Sequence, residues 1–192
     1  MLFARWLDEI KHDANELYLL GDIFDFWFEY KKVVPRGFTR ILGRIADLTD
    51  NGVPVHFFTG NHDLWIFDYL PAETGIQLHR NEYITELGGK KFFLAHGDGL
   101  DPDDKGYRWL KKIFVSKTLQ WWYSRLHPNF ALFLAHKWSK SSRLSKSGSE
   151  EEFKVKNEAM YKFAETFLQK EQIDYFIFRS EEHTSELQSP NT

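Results

Sequence analysis

The sequence contains no cysteine and lacks the long apolar runs that mark membrane-spanning chains. Without cysteine there can be no disulfide framework, no thiolate zinc site and no cysteine nucleophile. No apolar run approaches the ~20 residues that span a bilayer, and the opening stretch MLFARWLDEI carries acids among its apolar residues, unlike a signal peptide. The net charge is only −3. These absences predict a soluble domain of a reducing compartment.

Apolar and aromatic residues are abundant, at 42% and 17% of the 192 residues. A chain of this length usually forms one domain and buries about 70% of its unfolded surface. Periodicity and turn residues indicate alternating helices and strands, and hence an α/β fold. The predicted elements are a helix over 2–10, a strand over 16–20, a helix over 37–50, a strand over 54–59, a hairpin over 83–95, a helix over 150–170 and a strand over 174–178.

Three of the predicted strands end in a glycine next to polar side chains. The motifs are GDIFD at 21–25, GNHD at 60–63 and HGD at 96–98. For one strand alone, a turn with a capping Asp or Asn would be an equally good interpretation. Three such endings predict a shared site, because strands of open α/β sheets deliver functional side chains to their carboxyl edge.

The side chains at these strand ends offer carboxylate, amide and imidazole donors and no thiolate. Such a hard, mixed oxygen and nitrogen set suits Mn²⁺, Fe²⁺, Mg²⁺ or Zn²⁺. Two such cations about 4 Å apart can clamp a phosphoryl group and activate a water molecule. His62, beside Asn61 in the second motif, is then expected to act as a proton donor or to stabilise an oxyanion.

GDIFDFW, GNHD and HGD, in this order, resemble the calcineurin-like metallophosphoesterase superfamily over about residues 2–178. The resemblance implies a four-layer αββα sandwich and two divalent metal ions, with Mn²⁺ expected. The run GDIFDFWFEY and the DDxGY pattern at 103–107 are similar to the family of UDP-2,3-diacylglucosamine diphosphatases. Those enzymes hydrolyse the pyrophosphate bond of their substrate to lipid X and UMP in lipid A biosynthesis.

The resemblance also implies roles for individual residues. Asp22 resembles the bridging metal ligand, and Asn61 and His96 resemble ligands of the second metal. His62 resembles the catalytic residue beside the Asn, and both residues of that pair are expected to contact the substrate. Asp104 resembles a substrate-contacting acid, although an N-cap for a helix from Lys105 is a comparable interpretation. Two further acids, Asp25 and Asp63, are expected to orient their neighbours rather than to bind metal.

The chain departs from the family pattern at both ends. The family opens with a strand carrying Asp-x-His, and no Asp-x-His precedes Asp22 here. The family also places Gly-His-x-His after its last strand, where residues 179–182 read Arg-Ser-Glu-Glu. We therefore expect residues 1–178 to form an incomplete domain without the first strand and the C-terminal strands, and to be inactive. Residues 179–192 resemble a translated sequencing adapter; a genuine polar tail is the alternative.

An insert over about residues 105–149 holds ten basic residues, no acidic residue and four Trp. It predicts two or three amphipathic helices broken near residues 127–128. An anionic membrane surface, a nucleic acid, or a solvated basic face over packed aromatics would each account for it. The resemblance favours the first, because the family carries a helical lid here that covers a diacylated substrate. Ser139, Arg143 and Lys146 match lid positions that contact the substrate.

Together these features predict a metallophosphoesterase that hydrolyses UDP-2,3-diacylglucosamine. We expect it to lie on the inner face of the bacterial inner membrane as a peripheral, cytoplasmic protein and to bind no nucleic acid. Two alternatives remain open at this stage. One is a broader phosphoesterase that acts on phosphoproteins or nucleotides. The other is a non-catalytic membrane-binding module that has lost its metals.

Overall fold

The computed structural model describes residues 2–99, 105–145 and 150–179, which contain seven helices and six strands. In chain order they are α1 (Leu2–Ile10), β1 (Leu17–Leu19), α2 (Thr39–Asp50), β2 (Val55–Phe58), α3 (Tyr69–Thr74), β3 (Gln77–His79), β4 (Tyr83–Leu87), β5 (Lys90–Ala95), α4 (Lys105–Phe114), α5 (Lys117–Tyr123), α6 (Pro128–Ser145), α7 (Glu150–Leu168) and β6 (Tyr175–Phe178). The elements named from sequence are confirmed to within two residues at their ends. Helix α3 and strand β3 were not predicted, because neither YLPAET nor QLH contains an apolar run or a clear period.

The first sheet is parallel, with strand order β1-β2-β3. Strand β2 is buried along its whole length, as expected for the central strand. One face of the sheet packs against α1 and α2, because the apolar positions of both helices recur every three or four residues. The main core lies between these layers and includes Leu7, Leu19, Ile45, Val55 and Phe57.

The second sheet has the order β4-β5-β6, antiparallel in its first pair and parallel in its second. Phe93 on β5 is fully buried, and the rings of Phe163 and Phe167 on α7 pack against it. On the opposite face of β6, Tyr175 and Ile177 remain 50% and 41% exposed. Helix α7 therefore covers only one face of this sheet.

The two sheets meet through aromatic and imidazole rings. His56 on β2 stacks between Tyr18 on β1 and Tyr83 on β4, with ring centroids 4.6 and 5.4 Å away. The Nδ1 atom of His56 lies 2.9 Å from Nε2 of His79 on β3. Helices, first sheet, second sheet and α7 thus form four layers, which confirms the predicted αββα sandwich.

The insert forms three helices, α4 to α6, with a break at residues 124–127. It is anchored to the first sheet's loops, since the Trp65 indole donates to the Phe114 carbonyl at 2.7 Å. Among the described residues, no helix is both long enough and apolar enough to cross a membrane. Of the predicted substrate contacts, Ser139 and Arg143 lie on α6, whereas Asp104 and Lys146 lie outside the described residues.

Candidate metal centre

The backbone just after β1 adopts an unusual conformation. Gly21 has φ +84°, and Asp22, with φ +50°, is the only non-glycine residue of the described chain in the left-handed region. A non-glycine residue at positive φ costs energy, and such strain clusters at functional sites. A Cβ atom on Gly21 would lie 2.7 Å from both Gly60 N and His96 Nδ1. Glycine is therefore required where three chain segments converge.

Gly60 is required for a second close approach. A Cβ atom there would lie only 2.2 Å from Asp22 Oδ1 and 2.7 Å from His96 Cε1. The glycine that closes β2 thus leaves room for the carboxylate and the imidazole that follow β1 and β5. The three strand endings predicted from sequence do meet at one edge of the fold.

Asp22 stands at the centre of this convergence, with a side chain only 5% exposed. Its Oδ2 lies 3.4 Å from Nε2 of His96, and its Oδ1 accepts the backbone N–H of His62 at 2.9 Å. The Asn61 amide lies 3.0 and 3.3 Å from the two carboxylate oxygens, and would donate to both with its nitrogen turned toward them. The structure therefore brings together all three residues predicted as metal ligands.

Asp22 and His96 shift each other's pKa values through their contact. Burial acts to raise the pKa of Asp22, but the hydrogen bond and charge of His96 outweigh it and lower that pKa to about 2. Burial acts to lower the pKa of His96, and the contact with Asp22 raises it instead. Asp22 is consequently an ionised carboxylate at neutral pH, available to a cation.

Three further hydrogen bonds hold His96 and the backbone around Asp22 in place. Nδ1 of His96 lies 2.7 Å from the Leu20 carbonyl, which accepts its proton and turns Nε2 toward Asp22. The Asp63 carboxylate is fully buried and accepts the backbone N–H groups of Gly60 and Ile23 at 2.6 and 2.9 Å. Burial and the neighbouring charge of Asp22 raise the pKa of Asp63 to about 6. Asp63 thus holds the backbone at Gly60 and Ile23 through its carboxylate.

His62 lies beside this cluster, half-buried. Its Nδ1 is 2.9 Å from the Asp25 carbonyl, so Asp25 holds the imidazole through its backbone. The Trp27 N–H in turn donates to the His62 carbonyl at 3.0 Å. These contacts hold the predicted catalytic imidazole, which follows Asn61 in the chain, through its Nδ1 atom.

A cation from the chain itself already contacts Asp22. Nη1 of Arg179 lies 2.5 Å from Oδ2, with the Arg179 side chain 38% exposed. The sequence did not predict this contact, because residue 179 was assigned to the tail that resembles a translated sequencing adapter. Glu29 was likewise missed, although it is a buried acid 6% exposed within the GDIFDFWFEY run. An acid inside an aromatic run was the only available signal.

The donor chemistry fits a divalent metal, and a guanidinium occupies the cation position against Asp22. One carboxylate, one imidazole and one amide give oxygen and nitrogen donors suited to Mn²⁺ or a similar ion. Within the described ranges, no cluster of three or more His, Cys, Asp or Glu side chains could hold a metal ion. The donor set is therefore partial: it consists of the Asp22 carboxylate, the His96 imidazole and the neutral amide of Asn61.

The insert contacts this site through an ion pair between α4 and the HGD motif. Nζ of Lys111 on α4 lies 2.7 Å from Oδ2 of Asp98, the last residue of the HGD motif. Further along the insert, the Tyr123 ring on α5 packs 4.7 Å from Trp65 and 4.8 Å from Phe28. The insert is therefore attached to the loops that carry the candidate ligands.

Comparison with known proteins agrees with this geometry. The chain is 40% identical to "UDP-2,3-diacylglucosamine hydrolase" of Porphyromonas gingivalis over 91% of this chain and 72% of that protein. Proteins of the same name from Edwardsiella ictaluri and Histophilus somni are 34% and 30% identical, over 76% and 92% of this chain and 56% and 74% of their own lengths.

The profile of the calcineurin-like phosphoesterase family matches residues 2–184. Enzymes of that family are hydrolases that use divalent metals. The matched region contains all three strand endings, the anchored insert and the buried Asp22 at their junction. Fold, site and sequence agree that the chain belongs to the calcineurin-like phosphoesterase family.

Proposed function

We propose that this chain derives from an enzyme that hydrolyses the pyrophosphate bond of UDP-2,3-diacylglucosamine to lipid X and UMP. The convergence of Asp22, Asn61 and His96 beside an aromatic, basic insert is the observation that carries the proposal. The names of the relatives supply the substrate, because they act on the UDP-linked diacylated sugar that their name states. A phosphoesterase for soluble nucleotides would have no need of the exposed aromatic side chains on the insert.

Asp22, Asn61 and His96 are the residues that would hold metal, with two Mn²⁺ ions as the proposed complement. Bound divalent ions supply Lewis acidity and an activated water for attack at phosphorus. Asp22 contributes a carboxylate that stays ionised because its pKa is lowered to about 2. His62, held through Nδ1 by the Asp25 carbonyl, presents Nε2 as the atom that would stabilise charge on the phosphate.

The insert supplies the surface proposed to meet the lipid. Trp109 and Trp122 are 66% and 64% exposed, and Phe133 is 61% exposed. Exposed basic side chains lie among them on α4 and α5, including Lys112 and Lys117. Aromatic and cationic side chains together favour a membrane interface with anionic lipids. We therefore infer peripheral attachment at the cytoplasmic face of the inner membrane, with Ser139 and Arg143 on α6 among the substrate contacts.

We also infer that the 192-residue chain as written is inactive. Asp22, Asn61 and His96 are too few donors for two metal ions. The sequence has neither the Asp-x-His nor the Gly-His-x-His motif of the family.

A chimera tests the proposal directly. Residues 2–178 joined to the terminal segments of the P. gingivalis relative should release UMP from UDP-2,3-diacylglucosamine when Mn²⁺ is added. The Asp22→Asn chimera, which keeps the shape of the side chain but loses its charge, should release none. The unmodified chain, assayed in parallel, should also release none.

Two results would count against the proposal. A folded chimera that hydrolyses soluble nucleotides but not the lipid substrate would favour a broader phosphoesterase. Manganese-dependent hydrolysis by the unmodified chain would show that its three donors suffice, and would contradict the inferred inactivity.

A further inference from the structure

Glu29 is a buried acid that accepts hydrogen bonds from the backbone of residues 67–70 and from the indole of Trp27. Its Oε2 accepts the backbone N–H groups of Phe67, Asp68 and Tyr69 at 2.7, 2.9 and 3.1 Å. Its Oε1 accepts those of Leu70 and of the Trp27 indole at 3.2 and 3.1 Å. Five donors thus converge on one carboxylate.

Three of the four backbone donors, those of Asp68, Tyr69 and Leu70, are N–H groups at the start of α3 that the helix cannot satisfy by itself. The first N–H groups of a helix have no partner within the helix, and a side chain at the N-cap position usually accepts one of them. Asp68 occupies that position and makes no such hydrogen bond. Glu29, about forty residues earlier in the chain, takes its place, and its negative charge at the helix N-terminus is favourable.

The loop that Glu29 holds is the one that carries the site. Residues 59–68 connect β2 to α3 and contain Asn61 and His62. Residues 22–29 run beside this loop, with the Trp27 N–H donating to the His62 carbonyl and the Glu29 N–H to the Trp65 carbonyl at 3.0 and 3.3 Å. The two segments are therefore joined along their length.

The same loop also carries the anchor of the insert. The Trp65 indole donates to the Phe114 carbonyl, and the Arg80 guanidinium donates to the neighbouring Ile66 carbonyl at 2.6 Å. The Arg80 charge also interacts with Glu29. A displacement of residues 67–70 would therefore also shift His62 and the attachment of the insert at Trp65.

We propose that Glu29 is a positioning residue, whose buried carboxylate fixes the 59–70 loop so that His62 faces the metal centre while Trp65 holds the insert. The inference deepens the function proposed above and rests on it for the role of His62. Removing the negative charge leaves the α3 donors poorly satisfied, because a glutamine offers one acceptor oxygen in place of two.

Glu29→Gln is the primary variant, with Glu29→Asp as the conservative exchange and Glu73→Gln, an exposed acid on α3, as the matched control. NMR at fixed pH reports the imidazole resonances of His62 and the indole N–H of Trp65. Glu29→Gln should shift both resonances and weaken Mn²⁺ binding at least threefold. Glu29→Asp should restore part of each effect, and Glu73→Gln should leave all three readouts at wild-type values. Unchanged His62 and Trp65 resonances in folded Glu29→Gln would overturn the proposal.

Hydrogen exchange of the unmodified chain decides the matter if Glu29→Gln does not fold. The amides of residues 67–70 should exchange as slowly as those of β2, because they donate to a buried carboxylate. Fast exchange at these four amides would show that Glu29 does not hold the loop. Neither the resonances nor the exchange depends on metal, so failure of the chimera to release UMP would count against the proposed function without affecting these two measurements.

Discussion

At the scale of single residues, Asp22 combines three properties that seldom occur together. It is almost fully buried, it has a positive φ, and its pKa is lowered to about 2. Burial of a carboxylate normally favours the neutral form. The charge is retained because His96 and the His62 N–H stabilise it, and Arg179 contributes a further contact with Oδ2. The residue is thus prepared to bind a cation.

Replacing Arg179 by Ala should strengthen Mn²⁺ binding. The guanidinium lies 2.5 Å from the carboxylate oxygen that a metal would need. A hydrogen bond between charged groups contributes about 1.5–3 kcal/mol, and less where the partner is partly exposed as Arg179 is. We expect a gain of roughly fivefold in affinity, measured by calorimetric titration. Arg40→Ala, which removes an exposed charge on α2, is the control, and equal affinities in both variants would contradict the expectation.

At the scale of elements, helix α5 has two faces with different roles. Tyr123 packs against Phe28 and Trp65, and its hydroxyl donates to the Ala131 carbonyl at 2.8 Å. Trp121 and Trp122 lie 50% and 64% exposed on the outer face. The inner face therefore attaches the insert, and the outer face is the one available to a membrane.

Tyr123→Phe should lower the free energy of unfolding by about 1 kcal/mol. The variant keeps the packed ring and removes only the hydroxyl that pairs with the Ala131 carbonyl. Urea denaturation measures the loss. Vesicle binding should not change, and a loss of binding without a loss of stability would contradict the division of the helix into two faces.

The double variant Trp121→Ala and Trp122→Ala should weaken vesicle binding and leave stability unchanged, the reverse of the result for Tyr123→Phe. Each buried aromatic side chain contributes roughly 1.5–3 kcal/mol when it leaves water, so binding to vesicles of anionic phospholipid should fall at least tenfold. The unfolding transition should stay close to that of the wild type because both rings are exposed. Co-sedimentation with anionic and neutral vesicles provides the measurement, and undiminished binding would refute the proposed membrane face.

At the scale of the whole molecule, the stacked rings between the sheets join its two halves. His56 and His79 lie within hydrogen-bonding distance of each other, and both contact Tyr83. Burial lowers the pKa of His56, and burial together with the charge of His56 lowers that of His79. The nearby Glu16 opposes this shift at His56. The four-layer sandwich thus depends on two imidazoles that remain neutral.

Stability should therefore fall as the medium becomes acidic. Since the folded pKa of each imidazole lies below its ordinary value of 6.5, the unfolded chain binds protons first. The two neutral imidazoles make their full contribution to the free energy of unfolding above about pH 6.5, and this contribution declines below that pH. Urea midpoints between pH 5 and 7.5 should show a shallower decline for His79→Gln than for the wild type. His12→Gln, an exposed control, should follow the wild type, and identical slopes for all three would contradict the assignment.

Much of the fold and most of the site could be predicted from local patterns. The glycines after β1, β2 and β5 mark strand ends, and their neighbours Asp22, Asn61 and His96 meet in the structure. The short elements α3 and β3 could not be predicted, because six and three residues carry too few apolar positions for a period. The cap on α3 could not be predicted either, since Glu29 lies about forty residues from the amides that it accepts.

The sequence by itself determined which residue types reach the edge of the sheet, because strand periodicity and glycine turns are local properties of the chain. It also determined the absence of thiolate chemistry, through the lack of cysteine. Only the tertiary structure decided how these residues interact. The lowered pKa of Asp22, the Arg179 contact and the capping role of Glu29 all arise between segments far apart in sequence, and such interactions depend on burial and distance, which no local pattern encodes.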